Sequence, residues 1–213
     1  MTDQGGSVMR RRTKLAPDPN VRSAIVAAAS RTIREQGVKG LSVAAVLDRA
    51  QLSTRAFYRH FESKDQLVAA VFREVTRNEV LRLRTRMAAA STPASAVAAW
   101  IEGRLDLAFD ENTVASSPEL VSPGYNSILE PLIEQLDRGL QLGVFQDILP
   151  TIAAKSIHGV VWGQTQRQWA TGDSERADVC KRALRFCLRG LGVAPGTIEQ
   201  IVARSAHANA DRG

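Results

Sequence analysis

Residues 41–67, LSVAAVLDRAQLSTRAFYRHFESKDQL, constrain the fold of this chain more than any other segment. Ser42 and Ser53 are each good helix-capping residues, and each precedes a short run with helical apolar spacing. A turn of three to four residues joins the two runs, which is the layout of a helix-turn-helix pair. An α-helix advances by about 100° per residue, so Phe57 and Phe61 share the inner side of the second helix.

The outer side of this second helix is polar and basic. Arg55 and Arg59 lie opposite the two phenylalanines, whereas Thr54 and Tyr58 lie at the flank. Ser53 at the N-cap leaves backbone amides that favour phosphate. A helix pair whose second member presents Arg, Tyr and His is suited to lie against DNA. The outward residues are Thr54, Arg55, Tyr58, Arg59 and His60.

The distribution of charge also separates this part of the chain from the rest. Residues 1–64 carry twelve Lys and Arg against five Asp and Glu, whereas residues 65–213 carry sixteen against seventeen. A basic first third on a nearly neutral remainder indicates that only the first third meets a polyanion.

Composition favours a globular, helical chain. The hydrophobic content is 44%, aromatic residues make up only 5%, and Ala is frequent. No apolar run approaches the roughly 18 residues of a membrane-spanning helix, and the first residues lack the apolar stretch of a signal peptide. We therefore expect a cytoplasmic protein with no membrane partner.

Catalytic motifs are missing from the sequence. Cys180 and Cys187 would lie about 10 Å apart on one helix, too far for a disulfide, and are most simply small core residues. The three His and the scattered carboxylates form no metal set, no nucleophile–base pair and no Gly-rich phosphate loop. We expect no enzyme activity, no cofactor and no metal.

The remaining pattern predicts an all-α chain in three parts. Residues 1–17 are a disordered basic arm containing Arg10, Arg11 and Arg12, residues 18–64 the DNA-binding domain, and residues 65–213 a larger helical domain for ligand binding and dimerisation. A first helix begins near Asp18 and ends at Gly37. Ser63 and Gln66 form a capping box for a long fourth helix, whose apolar face includes Leu67, Val71, Val75 and Leu81. Further helices are predicted over 94–110, 126–142 and 150–171, a loop over 112–124, and a helix capped by Ser174 that ends near 191.

The segment around Ser53 closely resembles the N-terminal DNA-binding domain of the TetR family of transcriptional regulators. The most specific part is Phe57-Tyr58-Arg59-His60-Phe61 followed by Lys64, and the resemblance covers roughly residues 20–72. Two positions differ from the usual pattern. Gln51 stands where the turn commonly has Gly, and Leu47 stands where a small Ala is usual. Beyond residue 72 the resemblance is one of layout alone.

The resemblance implies that the outward residues approach DNA and that Lys64 and Ser42 bind phosphate. Arg55 or Arg59 can pair bidentately with guanine, whereas Tyr58 more simply fixes the register through phosphates. His60 either donates to phosphate or packs locally. The Arg10–Arg12 run either reaches the minor groove or backbone, or is a solvated tail.

One helix pair reads too few base pairs for a genomic site, so we expect a symmetric dimer on a quasi-palindromic operator. Gly159 and Gly163 on the penultimate long helix permit close approach of another helix. The resemblance implies a four-helix dimer interface, with an ordinary core of the single chain as the alternative. The apolar stripe predicted for this interface is Cys180, Ala183, Leu184, Cys187, Leu188 and Leu191.

The resemblance also implies a small-molecule pocket in the C-terminal part, with core packing as the alternative for each lining residue. The expected function is a homodimeric repressor that a small-molecule effector releases from DNA. A ligand-dependent activator and a sequence-blind, nucleoid-type DNA binder remain alternatives. The candidate pocket residues are Trp100, Arg104, Tyr125, His158, Trp162 and Gln166.

Overall fold

A computed structural model describes residues 18–109 and 125–210, and in these ranges the chain forms nine α-helices and no β-strand. The all-α prediction is confirmed. The arm with Arg10, Arg11 and Arg12 and the whole loop expected over 112–124 lie outside the described residues. The helices are α1 Pro19–Gly40, α2 Val43–Ala50, α3 Thr54–Phe57, α4 Lys64–Ala88, α5 Pro93–Phe109, α6 Tyr125–Gln141, α7 Pro150–Thr171, α8 Arg176–Gly190 and α9 Pro195–Ala210.

Side-chain caps set the starts of the N-terminal helices. The Asp18 carboxylate accepts a bond of 2.9 Å from the Asn20 amide at the start of α1. Ser42 and Ser53 cap α2 and α3 in the same way, accepting from the amides three residues ahead at 3.1 and 3.3 Å. All three predicted caps are confirmed, and together they place the start of each short helix by local chemistry.

The first helix is interrupted where its sequence predicts an end. Gly37 has φ 71° and ψ 172°, outside the helical region, and the chain then makes one more turn to Gly40. A residue with a side chain would be strained at this φ. Gly37 therefore redirects the chain toward α2.

Ser63 caps α4 as predicted, accepting from the Gln66 amide at 3.1 Å. The Gln66 side chain reaches back one residue further than a capping box requires, because its amide oxygen accepts from the Glu62 backbone N–H at 2.7 Å. The reciprocal bonding still satisfies two amides at the helix start.

Two separate apolar clusters share α4. Leu67, Ala70 and Val71 belong to an N-terminal cluster with residues of α1, α2 and α3. Leu83 and Met87, near the other end of the helix, belong to the C-terminal cluster. Since α4 has 25 residues, it is about 37 Å long and joins both cores. By packing, the N-terminal core therefore extends past residue 64, where the sequence-based boundary was placed.

The predicted apolar face of α4 is wrong in its second half. Val75 and Leu81 are 49% and 56% exposed. Each four-residue step turns the helix about 40° beyond a full circle, so a face extended from Leu67 rotates away from the core. The side chains that are buried in the second half are Thr76, Glu79, Leu83 and Met87.

The C-terminal core surrounds α5, which contacts α4, α6, α7 and α8. Trp100, Ile101 and Leu105 on α5 are fully buried. The predicted limits of α7 are confirmed, but the N-cap of α8 is Glu175 and not Ser174. The Ser174 hydroxyl donates to the Asp173 carboxylate instead, at 3.1 Å.

The last helix, α9, covers the end of this core. Ile198, Ile201 and Val202 are buried, and α9 packs against α8. The sequence allowed a short helix here without specifying its packing.

Candidate nucleic-acid interface and effector site

The turn between α2 and α3 consists of residues 51–53. Gln51 has φ 53° and ψ 43°, the left-handed conformation in which Gly costs least. The amides of Gln51 and Leu52 donate to the carbonyls of Asp48 and Leu47, which closes the end of α2. A non-glycine residue in this conformation costs about 1 kcal/mol. Leu47, the other departure from the usual pattern, is buried in the N-terminal core.

The second helix of the pair is short. After α3, the amides of His60 and Phe61 both donate to the Phe57 carbonyl, at 2.8 and 2.9 Å. These bonds continue the helical turn far enough to bury Phe61 next to Phe57, with ring centroids 5.7 Å apart. The predicted inward positions of both phenylalanines are confirmed.

The residues predicted to face outward lie on the surface. Tyr58 is 64% exposed, and its ring meets the edge of the Phe57 ring at 5.3 Å. His60 and Lys64 are half-buried. The Ser42 and Ser53 hydroxyls use their oxygens in capping, which leaves each hydroxyl proton available to donate. The exposed members of the set are Ser42, Ser53, Thr54, Arg55, Tyr58 and Arg59.

Positive charge on this surface is largely uncompensated. Among the described residues 18–64, one ion pair is present: Arg49 of α2 and Glu35 of α1 bond at 2.6 Å. Arg55 and Arg59 enter no ion pair with any described residue. A surface with unpaired guanidinium groups beside a helix start attracts a polyanion at long range.

The stripe predicted as a dimer interface is instead part of the core of the single chain. Its members are between 0% and 5% exposed, and they belong to the C-terminal cluster together with residues of α5 and α9. Side chains that already pack inside one chain offer no surface to a partner. The alternative interpretation, an ordinary core, describes Cys180, Ala183, Leu184, Cys187, Leu188 and Leu191.

The outer surfaces of α7 and α8 carry a different apolar patch. Leu149, Ile152 and Phe186 are 68%, 59% and 67% exposed, and they line one groove between the two helices. Gly159 and Gly163 are also exposed on α7, with open space where a Cβ would lie. Sequence analysis missed Phe186 because a single exposed aromatic on a helix has no periodic signal.

A second cluster of candidate residues lies between α4, α5 and α7. Trp100 is buried, and its indole N–H donates to the Ile128 carbonyl at 3.1 Å. The His158 ring lies 6.3 Å from that of Trp100 and stacks on Trp162 at 6.4 Å, with an interplanar angle of 13°. Trp169, which sequence analysis did not select, meets Trp162 edge-on at 5.7 Å.

Arg104 lies one helical turn after Trp100, and its guanidinium bonds to the Glu79 carboxylate of α4. Both residues are buried. Sequence analysis did not select Glu79, because no local pattern relates it to Arg104, which lies 25 residues further along the chain.

Gln166 lies on the exposed side of α7, since eight residues rotate it about 80° from His158. The Tyr125 side chain lies outside the described residues.

Titration in this region is set by burial. Burial, and then the positive charge of Arg104, lower the pKa of His158 from 6.5 to about 4, so its imidazole is neutral at pH 7. Burial raises the pKa of the Cys180 and Cys187 thiols to about 11 and about 12. The described residues hold no group of three or more His, Cys, Asp or Glu arranged to bind a metal ion. None of the described helices is long and apolar enough to cross a membrane.

Comparison with known proteins agrees with this geometry. Residues 25–71 match the model of the bacterial regulatory proteins of the tetR family. No curated protein matches the chain significantly.

Several solved structures share the fold. RolR in complex with resorcinol is 20% identical, with 87% of this chain and 94% of that chain covered and a TM-score of 0.67. The fatty acid degradation regulator FadR from Bacillus halodurans is also 20% identical, covering 80% and 95%, with a TM-score of 0.66. SmeT, the repressor of the Stenotrophomonas maltophilia multidrug efflux pump SmeDEF, is 24% identical, covering 79% and 89%, with a TM-score of 0.64. Residues 25–71 therefore match the tetR-family model over the helix-turn-helix region, and the solved structures show that the chain shares their fold.

Proposed function

We propose that this chain is a transcriptional regulator of the TetR family, that it is a homodimeric repressor of a quasi-palindromic operator, and that a small-molecule effector releases it. The observation that carries the proposal is the exposed, unpaired basic surface of the second helix of the pair. Its partners are therefore double-stranded DNA, a second copy of the chain and the effector.

On DNA, the proposed roles follow from side-chain chemistry. Arg55 and Arg59 are exposed forks that can bond bidentately to guanine in the major groove. The remaining polar residues fix the position on the backbone through phosphates, because hydroxyls, amines and free amides at a helix start suit phosphate oxygens. This second group is Ser42, Ser53, Thr54, Tyr58, His60 and Lys64.

The proposed dimer surface is the outer side of α7 and α8. Three large apolar side chains, Leu149, Ile152 and Phe186, are exposed there, and Gly159 and Gly163 allow a second helix to approach closely. Exposed apolar groups of this size that share one groove are typical of a protein interface. Replacing Phe186 with Glu should shift the protein from dimer to monomer in analytical ultracentrifugation. Leu142→Glu, at an apolar residue exposed to 61% elsewhere, is the matched control; equal effects of the two changes would contradict the assignment.

Release by an effector requires coupling between the two cores. The long helix α4 contributes to both, so a shift of its C-terminal half against α5 changes the position of the DNA-binding helices. The solved structures of RolR with resorcinol and of FadR from Bacillus subtilis with stearoyl-CoA show small organic ligands on this fold. Coupling is reciprocal, so DNA must weaken effector binding by the factor by which the effector weakens DNA binding.

The decisive experiment is selection of bound fragments from sheared genomic DNA by the purified protein at physiological salt. Enrichment of an inverted repeat supports a dimeric, site-specific regulator. Uniform recovery that falls steeply with salt would contradict it and would favour sequence-blind binding. Transcription from an enriched fragment, with and without the protein, then distinguishes repression from activation.

A further inference from the structure

The ion pair between Glu79 and Arg104 differs from the others in the described chain because both partners are deeply buried. Their side chains are 11% and 8% exposed, whereas the next least exposed pair, Arg86 with Glu102, has 24% and 14%. The Arg104 guanidinium also has a buried Nε with no hydrogen-bond partner. Buried donors are almost always satisfied in native proteins, so an unsatisfied one at a charged group indicates a place for a missing acceptor.

Aromatic side chains lie in the same part of the C-terminal core as Arg104. Trp100 precedes Arg104 by one helical turn, and the His158, Trp162 and Trp169 rings continue from Trp100 along α7. The chain has three tryptophans, and all of them belong to this cluster. The positive charge of Arg104 acts on the His158 ring, so the guanidinium and part of this aromatic cluster are close together. Such a combination suits a planar aromatic group that carries a negative charge at one edge.

We propose that this cluster is the effector site and that it takes a planar aromatic carboxylate, which binds Arg104. The inference rests on the proposed function, because it names the ligand class of the regulator's effector. The aromatic group lies among Trp100, His158 and Trp162, and the carboxylate accepts from the guanidinium of Arg104. A planar carboxylate matches the guanidinium fork better than a single-atom acceptor does.

The same geometry explains how such a ligand acts on DNA binding. Glu79 lies on α4 and Arg104 on α5, so their bond ties the helix that reaches the N-terminal core to the centre of the C-terminal core. A second carboxylate beside Arg104 repels Glu79, because two negative charges in a buried site are unfavourable. Glu79 then separates from Arg104, and α4 is no longer held to α5 at this point.

The test uses tryptophan fluorescence of the full chain excited at 295 nm, because two of the three tryptophans lie in the site and the third, Trp169, packs against Trp162. Benzoate and phenylacetate are the probes, and benzamide and phenylacetamide are uncharged matches of the same shape. The acids should change the emission with at least tenfold lower Kd than their amides. Equal binding of acids and amides, or no response to either acid, overturns the proposal.

Two variants test the role of the buried pair. Glu79→Gln removes the competing charge and should tighten acid binding at least threefold, an effect that a purely structural role would not produce. The double variant Glu79→Leu/Arg104→Met removes both charges without leaving one uncompensated, and it should weaken acid binding at least tenfold. Wild-type acid affinity in the double variant would overturn the assignment of Arg104.

The matched control is the exposed pair of Arg84 and Glu134, which joins α4 to α6 at 2.7 Å. The double variant Arg84→Gln/Glu134→Gln should bind the acids as the wild type does. Binding to an enriched DNA fragment is measured in parallel. Benzoate should weaken DNA binding by the wild type and by the control variant, in which Glu79 and Arg104 are intact. It should not weaken DNA binding by the variants that change Glu79 or Arg104. If the protein selects an inverted repeat but ignores the acids, the ligand class is wrong and the proposed regulator stands; if it selects no repeat, the proposed function fails whatever the acids do.

Discussion

The two parts of the chain use their arginines in opposite ways. In the N-terminal helices, Arg55 and Arg59 are exposed and meet no acidic partner among the described residues. In the C-terminal helices, Arg86, Arg104 and Arg176 lie in or near the core and bond to carboxylates on other helices. A solvent-exposed arginine without an acidic partner can attract a polyanion such as DNA from a distance. A buried arginine paired with a carboxylate links two helices, and a second charge placed near the pair changes the strength of that link.

The largest expected effect is the loss of stability when the buried Glu79–Arg104 ion pair is broken. Arg104→Met leaves the Glu79 carboxylate buried without its partner, which should lower the free energy of unfolding by about 3–5 kcal/mol. Urea denaturation followed by far-UV circular dichroism measures the change. Arg49→Met, which breaks the exposed pair with Glu35, serves as the control and should leave the transition unmoved. Equal destabilisation by both changes would remove the distinction between buried and exposed pairs.

The next effect concerns the unpaired arginines. The double variant Arg55→Ala/Arg59→Ala should weaken binding to an enriched fragment by about 2–4 kcal/mol, because each bidentate contact to guanine contributes about 1–3 kcal/mol. Fold stability should not change, since both side chains are exposed. Fluorescence anisotropy at several salt concentrations measures affinity and salt dependence together. Arg138→Ala, at an exposed arginine of α6, should bind as the wild type does; a comparable loss there would indicate non-specific attraction.

A smaller effect is expected from the titration of the partly buried His158 imidazole. The pKa of His158 is about 4 in the folded chain against a usual 6.5, so between these values the unfolded chain binds the extra proton. The stability due to the neutral ring is complete above pH 6.5 and is lost as the pH falls toward 4. Because the ring is only part-buried, we expect a loss of about 1–3 kcal/mol across that window. Comparison with His158→Gln isolates this loss from the titration of carboxylates, and parallel pH profiles for both proteins would contradict it.

The smallest effect lies in the turn. Gln51→Gly should raise the free energy of unfolding by up to about 1 kcal/mol, because Gly adopts the left-handed conformation without steric cost. Thermal denaturation measures the gain. Ala50→Gly, one residue earlier in the helical region, should instead destabilise the protein. A loss with both variants would show that the Gln51 side chain contributes more than its backbone strain costs.

Local chemistry made much of the N-terminal part predictable. Ser42, Ser53 and Ser63 begin their helices by accepting bonds from amides a few residues ahead, and Phe57 and Phe61 are buried on one helical face. Such features depend on neighbours within about four residues, which periodicity and capping describe well. The same reasoning failed over longer distances, since the outward positions of Val75 and Leu81 depend on where α5 and α6 pack.

The apolar stripe of α8 shows the limit most clearly. The sequence correctly predicted that these residues share one apolar face of the helix. The same spacing is found in dimer interfaces and in the core of a single chain, so it does not distinguish between them. Because α5 and α9 pack against α8, the stripe is buried in the core of the single chain. Phe186, on another side of α8, stays exposed.

By itself, the sequence determined the helical class, the helix-turn-helix motif and the basic surface of its second helix, because these depend on short-range spacing and on composition. Only the tertiary structure joined Glu79 to Arg104 across 25 residues and gathered Trp100, His158, Trp162 and Trp169 into one cluster. The meeting of distant side chains depends on how whole helices pack, and the free energy of that packing is summed over many contacts that no local pattern contains.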